Sequence, residues 1–157
     1  MNDDSIMFCT FEASGRLFGI PLIDIKEITA EINCTHIPHA PECVRGYANI
    51  RGQIILGLDL KKLLKLPSSD SEEAKRLVIF KQIVGPAFGL LVDEIGEIQS
   101  LSRGRLDDCS FSQTGLSDKG PTNLIAGVCR LPHQLLVVLD PYKFLPLIEN
   151  ELSKKST

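Results

Sequence analysis

Apolar residues in this chain come in short runs set between glycines, prolines and polar turns, a pattern of strands rather than long helices. The runs from Ser5 to Ala13 and from Arg16 to Leu22 flank Ser14-Gly15 and predict a first β-hairpin. From Ile23 to Ile32, the isoleucines Ile25, Ile28 and Ile32 fall at helical spacing, while the β-branched content favours a strand. One helical turn passing into a strand is expected there. Pro38 and Pro41 then break the chain, and Pro41 opens a segment suited to a helical turn closed by Gly46. The stretch Gly46 to Leu64 reads as two short buried strands joined at Arg51-Gly52-Gln53, a hairpin with a charged tip, followed by a brief helix. Pro67 to Lys75, rich in serine and acid, reads as a solvated linker. Arg76 to Val84, the Gly85-Pro86 turn and Ala87 to Ile95 predict another hairpin. Ser102 to Thr122 reads as a polar exposed loop, and Leu124 to Leu145 as a last hairpin. The chain then ends in a short amphipathic helix expected to kink at Pro146.

These elements repeat. Phe18-Gly19-Ile20, Leu22, Ile25, Glu27 and Ile28 return in order as Phe88-Gly89-Leu90, Val92, Ile95, Glu97 and Ile98. Gly46, Gln53, Leu58, Asp59 and Leu64 return as Gly127, Gln134, Leu139, Asp140 and Leu145 at a larger spacing. A duplicated unit with an insertion in its second copy accounts for both, and the boundary falls at the linker, giving a first unit at 1–74 and a second at 75–157. Several short strands per unit with no βαβ rhythm imply an all-β fold of two small antiparallel barrels packed together. Neither unit has core to spare alone, so apolar surface and a groove are expected at their junction.

Composition narrows the function. A net charge of −3 with scattered basic residues leaves no electrostatic footprint for nucleic acid, and no lysine-rich amphipathic stretch points to a membrane surface. The apolar runs are too short to span a bilayer and MNDDSIM lacks a basic signal region, so a cytoplasmic protein is expected. The 5 cysteines are odd in number and irregularly spaced, as in a reducing compartment.

Candidate chemistry is sparse. Cys34, His36, His39 and Cys43 are one set that could bind zinc, but their spacing matches no zinc motif and two prolines stiffen the stretch. No metal or cofactor is therefore expected. There is no G-x-S-x-G and no P-loop. Asp93 and Glu94 are adjacent on a strand and face opposite ways, Asp107-Asp108 lie in the exposed loop, and His133 sits at a hairpin tip. Enzymatic activity is not expected. The glycines Gly46, Gly52, Gly89 and Gly127 read first as backbone devices.

The order FGIPLIDIKEI, IPHAPECVRGYANIRGQI, LDL, FGLLVDEIGEI and IAGV followed by LLVVLD resembles the CheW-like family of bacterial chemotaxis coupling proteins, over roughly Phe8 to Leu147. The resemblance implies two SH3-like five-stranded barrels and a non-enzymatic adaptor. Its partners would be the cytoplasmic tip of a methyl-accepting chemoreceptor and the regulatory domain of a chemotaxis histidine kinase, met at receptor arrays on the inner membrane. It implies a receptor-binding groove of Ile25, Glu27, Ile28, Gly89, Val92, Ile95 and Ile98, and a kinase-coupling hairpin of Gly46, Asn49, Ile50, Arg51 and Ile54. Arg51 and Glu27 either pair and link the two surfaces or stand as an exposed turn arginine and a solvated glutamate. Gly57 stands where the family usually has proline, and the loop from Ser102 to Thr122 follows no family pattern. A coupling protein of another chemosensory pathway, such as twitching motility, keeps the same fold; a small metal-binding or hydrolytic domain built on Cys34 to Cys43 is the reading of another class.

Overall fold

A computed structural model describes residues 5–66, 74–102 and 124–155, with side chains through 150. Strands β1 (Ser5–Ala13) and β2 (Arg16–Pro21) are joined by Ser14 and Gly15 at φ 53° and 75°, a primed turn whose twist suits a two-residue hairpin. A 3-10 turn at Leu22–Asp24 leads into β3 (Ile25–Thr29), the helical turn passing into a strand that the isoleucine spacing predicts. After the two-residue β4 (Cys34–Thr35), β5 (Val44–Ile50) and β6 (Gln53–Asp59) form the central hairpin, turning through Arg51 and Gly52 at φ 51° and 85°. The Gly52 N–H donates to Asn49 Oδ1 at 2.9 Å and closes that turn.

Helix α1 (Leu60–Leu63) begins because Asp59 caps it, its Oδ1 accepting from the Lys61 and Lys62 N–H groups at 3.0 and 3.4 Å. It ends at Lys65, whose φ of 54° lets Leu66 N–H reach Lys61 O at 2.8 Å and Lys65 N–H reach Lys62 O at 3.3 Å, satisfying the last carbonyls. The remaining elements are β7 (Arg76–Phe80), β8 (Phe88–Val92), β9 (Glu94–Ser102), β10 (Ile125–Arg130), β11 (Leu135–Leu139), a 3-10 turn at Pro141–Lys143 and α2 (Phe144–Lys155). Asp140 caps the Pro141–Lys143 turn as Asp59 caps α1, accepting from Tyr142 N–H at 3.1 Å.

Three local expectations change. Gly46 does not close a helical turn; it lies inside β5 at φ 139°, beside a bulge between Val44 and Gly46. Strand β7 stops at Phe80 because Lys81–Val84 is a turn, with Val84 N–H donating to Lys81 O at 3.0 Å. Pro146 does not interrupt α2: it sits in the first turn, where its missing N–H would have had no intrahelical partner. The linker at 67–73 and residues 103–122 of the polar loop lie outside the described residues.

The all-β expectation holds, but the strands do not sort along the 74/75 boundary. One sheet has the order β10-β11-β2-β1-β9 and the other β3-β7-β8-β6-β5-β4. Exchanging each strand of one repeat for its counterpart in the other converts the first order into β5-β6-β8-β7-β3, which is the second sheet without β4. Each sheet is therefore built from the leading hairpin of one repeat and the last three strands of the other. The details repeat as well. The parallel pair aligns Gly19 with Val138 in one sheet and Gly89 with Gly57 in the other, and the bulge at Val44/Gly46 returns at Ile125/Gly127. Those parallel pairs, β2 with β11 and β6 with β8, are where the repeats interlock, so neither sheet is wholly antiparallel and β4 makes the second six-stranded.

This exchange explains why alternation is faint in the chain. Between the sheets lies one core that takes Phe11, Phe18 and Val137 from the first and Val78, Phe80, Phe88 and Leu90 from the second, joined by Phe144 and Ile148 of α2. The opposite face of the first sheet holds a separate cluster with Phe8, Leu136, Leu101 and Cys129, and that of the second holds Ile50, Ile55, Leu77 and Ile79. The first cluster joins both edge strands of its sheet through Leu101 and Cys129, and the second reaches Cys34 on the edge strand β4, so each sheet curls over itself. Strands β1, β2, β7, β8 and β11 are buried on both faces and lose the polar half of their alternation, whereas β5 is buried at every second residue.

Candidate docking surface

The tip of the central hairpin meets β3. Arg51 Nη2 forms an ion pair with Glu27 Oε1, and beside it Lys26 Nζ donates to Gln53 Oε1 at 3.2 Å. In sheet order β3 and β6 are separated by β7 and β8, so these two contacts exist because the sheet curls. Arg51 holds a left-handed backbone conformation that a non-glycine residue adopts at some strain. The turn needs that geometry, and the pair with Glu27 needs the side chain.

Around this pair the expected site residues divide by exposure. Glu27, Ile28, Asn49, Arg51 and Ile54 are at or near the surface, with Ile28 36% and Ile54 52% exposed. On β9, Ile98 is 54% exposed and Ile95 half-buried. The others are buried. Ile25 (8% exposed), Ile50 (4%) and Val92 (1%) face the cores, and Gly46 and Gly89 are buried within strands. At Gly89 a Cβ would lie 2.8 Å from Leu77 Cδ1 and 2.9 Å from Val78 O, so this glycine serves the packing of β8 on β7. In β3 a bulge between Ile25 and Glu27 shifts the phase, which turns Ile25 inward while leaving Glu27 and Ile28 accessible.

Two accessible residues are additions to the expected set. Tyr47, 48% exposed, shares the outer face of β5 with Asn49, beside Ile54. The alternation of β5 is the signal that places it there. Met7, 50% exposed, lies opposite Ser100, and Cys9 lies opposite Ile98, which makes Met7 and Ile98 diagonal neighbours on one face. Ile28 and Ile98 are counterparts in the two repeats and stand on β3 and β9, the outermost strands of different sheets. A depression of about 380 Å³ opens at the start of β9, lined by Lys75, Arg76, Asp93, Glu94 and Ile95, with Lys75 and Glu94 3.6 Å apart. Its charged walls do not match an apolar groove, and Ile95 is the one expected groove residue in it.

Behind each of these strands is a polar contact between repeats. Ahead of β9, Asp93 Oδ1 lies 3.0 Å from Lys61 Nζ on α1, a charge–charge contact without well-aligned hydrogen-bond geometry, and Ser14 N–H donates to Asp93 Oδ2 at 3.3 Å. Ahead of β3, Tyr142 Oη donates to Asp24 Oδ1 at 3.3 Å. Burial pushes the Asp24 carboxyl above its ordinary value and Asp140 adds to this, opposed by the Tyr142 bond and Lys81. A carboxyl with a raised folded pKa contributes stability that is complete below its unfolded value and is lost as pH rises through the raised one. Asp24→Asn keeps an acceptor for Tyr142 without the charge. Urea unfolding from pH 3.5 to 7 is expected to show the variant gaining on the native protein as pH rises; a constant difference would remove the burial argument.

Among the described residues no three His, Cys, Asp or Glu side chains stand where they could hold a metal ion. His36 and His39 are exposed, Cys43 is buried, and Cys34 is half-buried with its Sγ 3.1 Å from where a Cβ on Gly57 would lie. Burial raises the Cys34 thiol pKa and Arg45 lowers it less, so a ready thiolate is not favoured. The metal-binding alternative thus lacks a converging ligand set. No helix among the described residues is long and apolar enough to cross a membrane.

Comparison with known proteins follows the same lines. A model described as the CheW-like domain matches residues 7–149. The chain is similar to a chemotaxis protein CheW of Treponema pallidum, 27% identical over 146 residues that cover 91% of this chain and 84% of that protein. It is also similar to Protein PilI of Pseudomonas aeruginosa, 30% identical over 89 residues covering 57% of this chain and 49% of that one. In fold it resembles the scaffolding protein TtCheW from Thermoanaerobacter tengcongensis, with a TM-score of 0.74 at 22% identity over 86% of this chain and 88% of that structure.

Proposed function

The chain belongs to the CheW-like domain family, and from that premise we propose that it is a non-enzymatic chemotaxis adaptor that joins chemoreceptors to a histidine autokinase in the cytoplasm, at receptor arrays. The observation that carries this reading is the Arg51–Glu27 pair, which ties the tip of one exposed hairpin to an edge strand with accessible aliphatic residues. The hairpin face with Tyr47, Asn49, Arg51 and Ile54 is the kinase side. It offers an aromatic and an arginine, the residue types that anchor protein interfaces. Glu27 and Ile28 on β3, with Ile95 and Ile98 on β9, are the receptor side, where the apolar stripe of a helical hairpin would be received. Ile25, Val92, Gly89, Gly46 and Ile50 act behind these faces, by holding strand geometry.

Reconstituted signalling tests the reading: receptor-bearing membranes, the chemotaxis kinase and the purified chain, with kinase autophosphorylation measured. Native protein should raise receptor-controlled activity; no stimulation by folded protein rejects the adaptor role. Arg51→Ala should lower stimulation roughly tenfold, because the side chain that holds the hairpin tip to β3 and anchors the kinase side is gone, while leaving the melting temperature nearly unchanged because the pair is exposed. Arg51→Asn, which tolerates the left-handed turn better, should melt no lower than the native chain yet couple as poorly as the alanine variant. Full coupling by Arg51→Asn would assign the role to the turn and not to the side chain.

A further inference from the structure

The two repeats are fastened to each other differently at equivalent places, and the difference bears on β3. Offsetting one repeat onto the other carries Asp24 to Glu94, next to Asp93, and carries Lys61 to Tyr142. The corner before β9 is held by Lys61 and by the Ser14 amide together, and the Lys61 side chain is 8% exposed. At the corner before β3, the Asp24 side chain has, among the described residues, a single hydrogen bond, from Tyr142 Oη at 3.3 Å, while Lys81 N–H donates to the Asp24 carbonyl at 3.0 Å. The charged and titratable groups facing Asp24 are Tyr142 and Asp140, from the turn after β11, and Lys81, from the turn after β7. Tyr142 is 44% exposed and its bond spans 118 positions of sequence, so it joins the second repeat's last turn directly to the residue that starts β3.

We infer that Asp24 and Tyr142 are a positioning pair: their hydrogen bond sets the entry of β3 and thereby the placement of Glu27 and Ile28 on the docking surface, while β9 is held independently by Lys61 and Asp93. The part of this that concerns binding rests on the receptor reading above. Asp24 is at the hinge between the 3-10 turn and the strand, one residue before Ile25, and the bulge that exposes Glu27 follows at once. Among the described residues β3 pairs with one strand, β7, so its register beyond that ladder depends on how its first residue is seated. Loosening that seat moves Glu27 relative to Arg51.

The test uses the full chain with Tyr142→Phe, which removes the hydroxyl and keeps the ring, and with Asp24→Ala and Asp24→Asn. Amide hydrogen exchange at Ile25–Thr29 reports the seat, with Glu94–Ser102 as the internal control. Binding to a soluble receptor signalling tip and, separately, to a kinase regulatory domain reports the consequence. Tyr142→Phe and Asp24→Ala are expected to exchange about fivefold faster in β3 and not in β9, and to bind the receptor tip about threefold to fivefold more weakly with kinase affinity unchanged. Asp24→Asn, which still accepts the bond, should restore both. Equal acceleration in β3 and β9 would mean general loosening and would overturn the inference, as would unchanged exchange in β3 or faster exchange with unchanged receptor affinity. If native protein binds no receptor tip, the receptor reading fails on its own, and the exchange pattern still decides whether the pair seats β3.

Discussion

Gly46→Ala is expected to destabilise the protein by more than about 3 kcal/mol, the strain of a forbidden backbone geometry added to a clash. Gly46 holds φ at 139°, and a Cβ there would stand 2.1 Å from Thr35 O and 2.7 Å from Thr35 C. Those atoms are backbone of β4, which pairs with β5 through Thr35 opposite Tyr47 and Cys34 opposite Ala48, so no side chain can swing aside to make room. Either β4 leaves the sheet or the bulge beside Gly46 is lost, and a one-residue slip of β5 would turn Tyr47 and Asn49 inward. Urea unfolding should show a much lower midpoint, with Gly52→Ala as the comparison. Gly52 also has a positive φ but nothing within 4 Å of its Cβ position, and its replacement should cost about 1 kcal/mol. Equal losses in the two variants would mean that the approach of β4 is not what requires glycine at position 46.

Lys61→Ala comes next in size, at about 2 to 3 kcal/mol. Breaking a buried ion pair from one side leaves the other charge without its partner, and the Asp93 side chain, 17% exposed, keeps some access to water that softens the loss. The lysine stem is also buried, so Lys61→Met separates charge from packing. Asp93→Asn retains an acceptor for the Ser14 amide. Lys61→Met with Asp93→Asn should recover most of what either single change loses, because neither charge is then stranded. The double-mutant cycle in urea should therefore give a coupling of at least about 1 kcal/mol. Additive losses would show that Lys61 contributes through packing alone.

Much of the fold is legible in the chain because its turns carry their own chemistry. Ser14-Gly15 and Arg51-Gly52-Gln53 announce two hairpin turns, and the recurrence of Phe18-Gly19-Ile20 as Phe88-Gly89-Leu90 announces the duplication. What periodicity cannot state is which strand pairs with which. The hydrophobic pattern of β1 is the same whether its neighbour is β3 or β9, so sequential barrels were the natural expectation and exchanged strands the outcome. β4, with two residues, has no period at all. The same blindness limits the site. Ile25 and Ile28 look alike in sequence, and a bulge decides that one is core and the other surface. Arg51 and Glu27 were within reach of sequence reasoning through family resemblance, whereas Asp24 with Tyr142 and Lys61 with Asp93 meet only because the repeats interlock.

The interlock also constrains how the chain is made. The pairing of β1 with β9 and of β2 with β11 joins residues near the start to residues near the end, and β3 must wait for β7. As the polypeptide leaves the ribosome, the first repeat emerges with the hairpin β1–β2 missing both its neighbours and the hairpin β5–β6 paired with β4 but missing β8, and the first sheet cannot be completed until β11 has been synthesised. Loop closure over such separations favours folding in milliseconds to seconds over microseconds. Nascent chains stalled before β10 should accordingly stay protease-sensitive, with chaperone binding concentrated on the open edges of β1 and β2 until the last hairpin arrives.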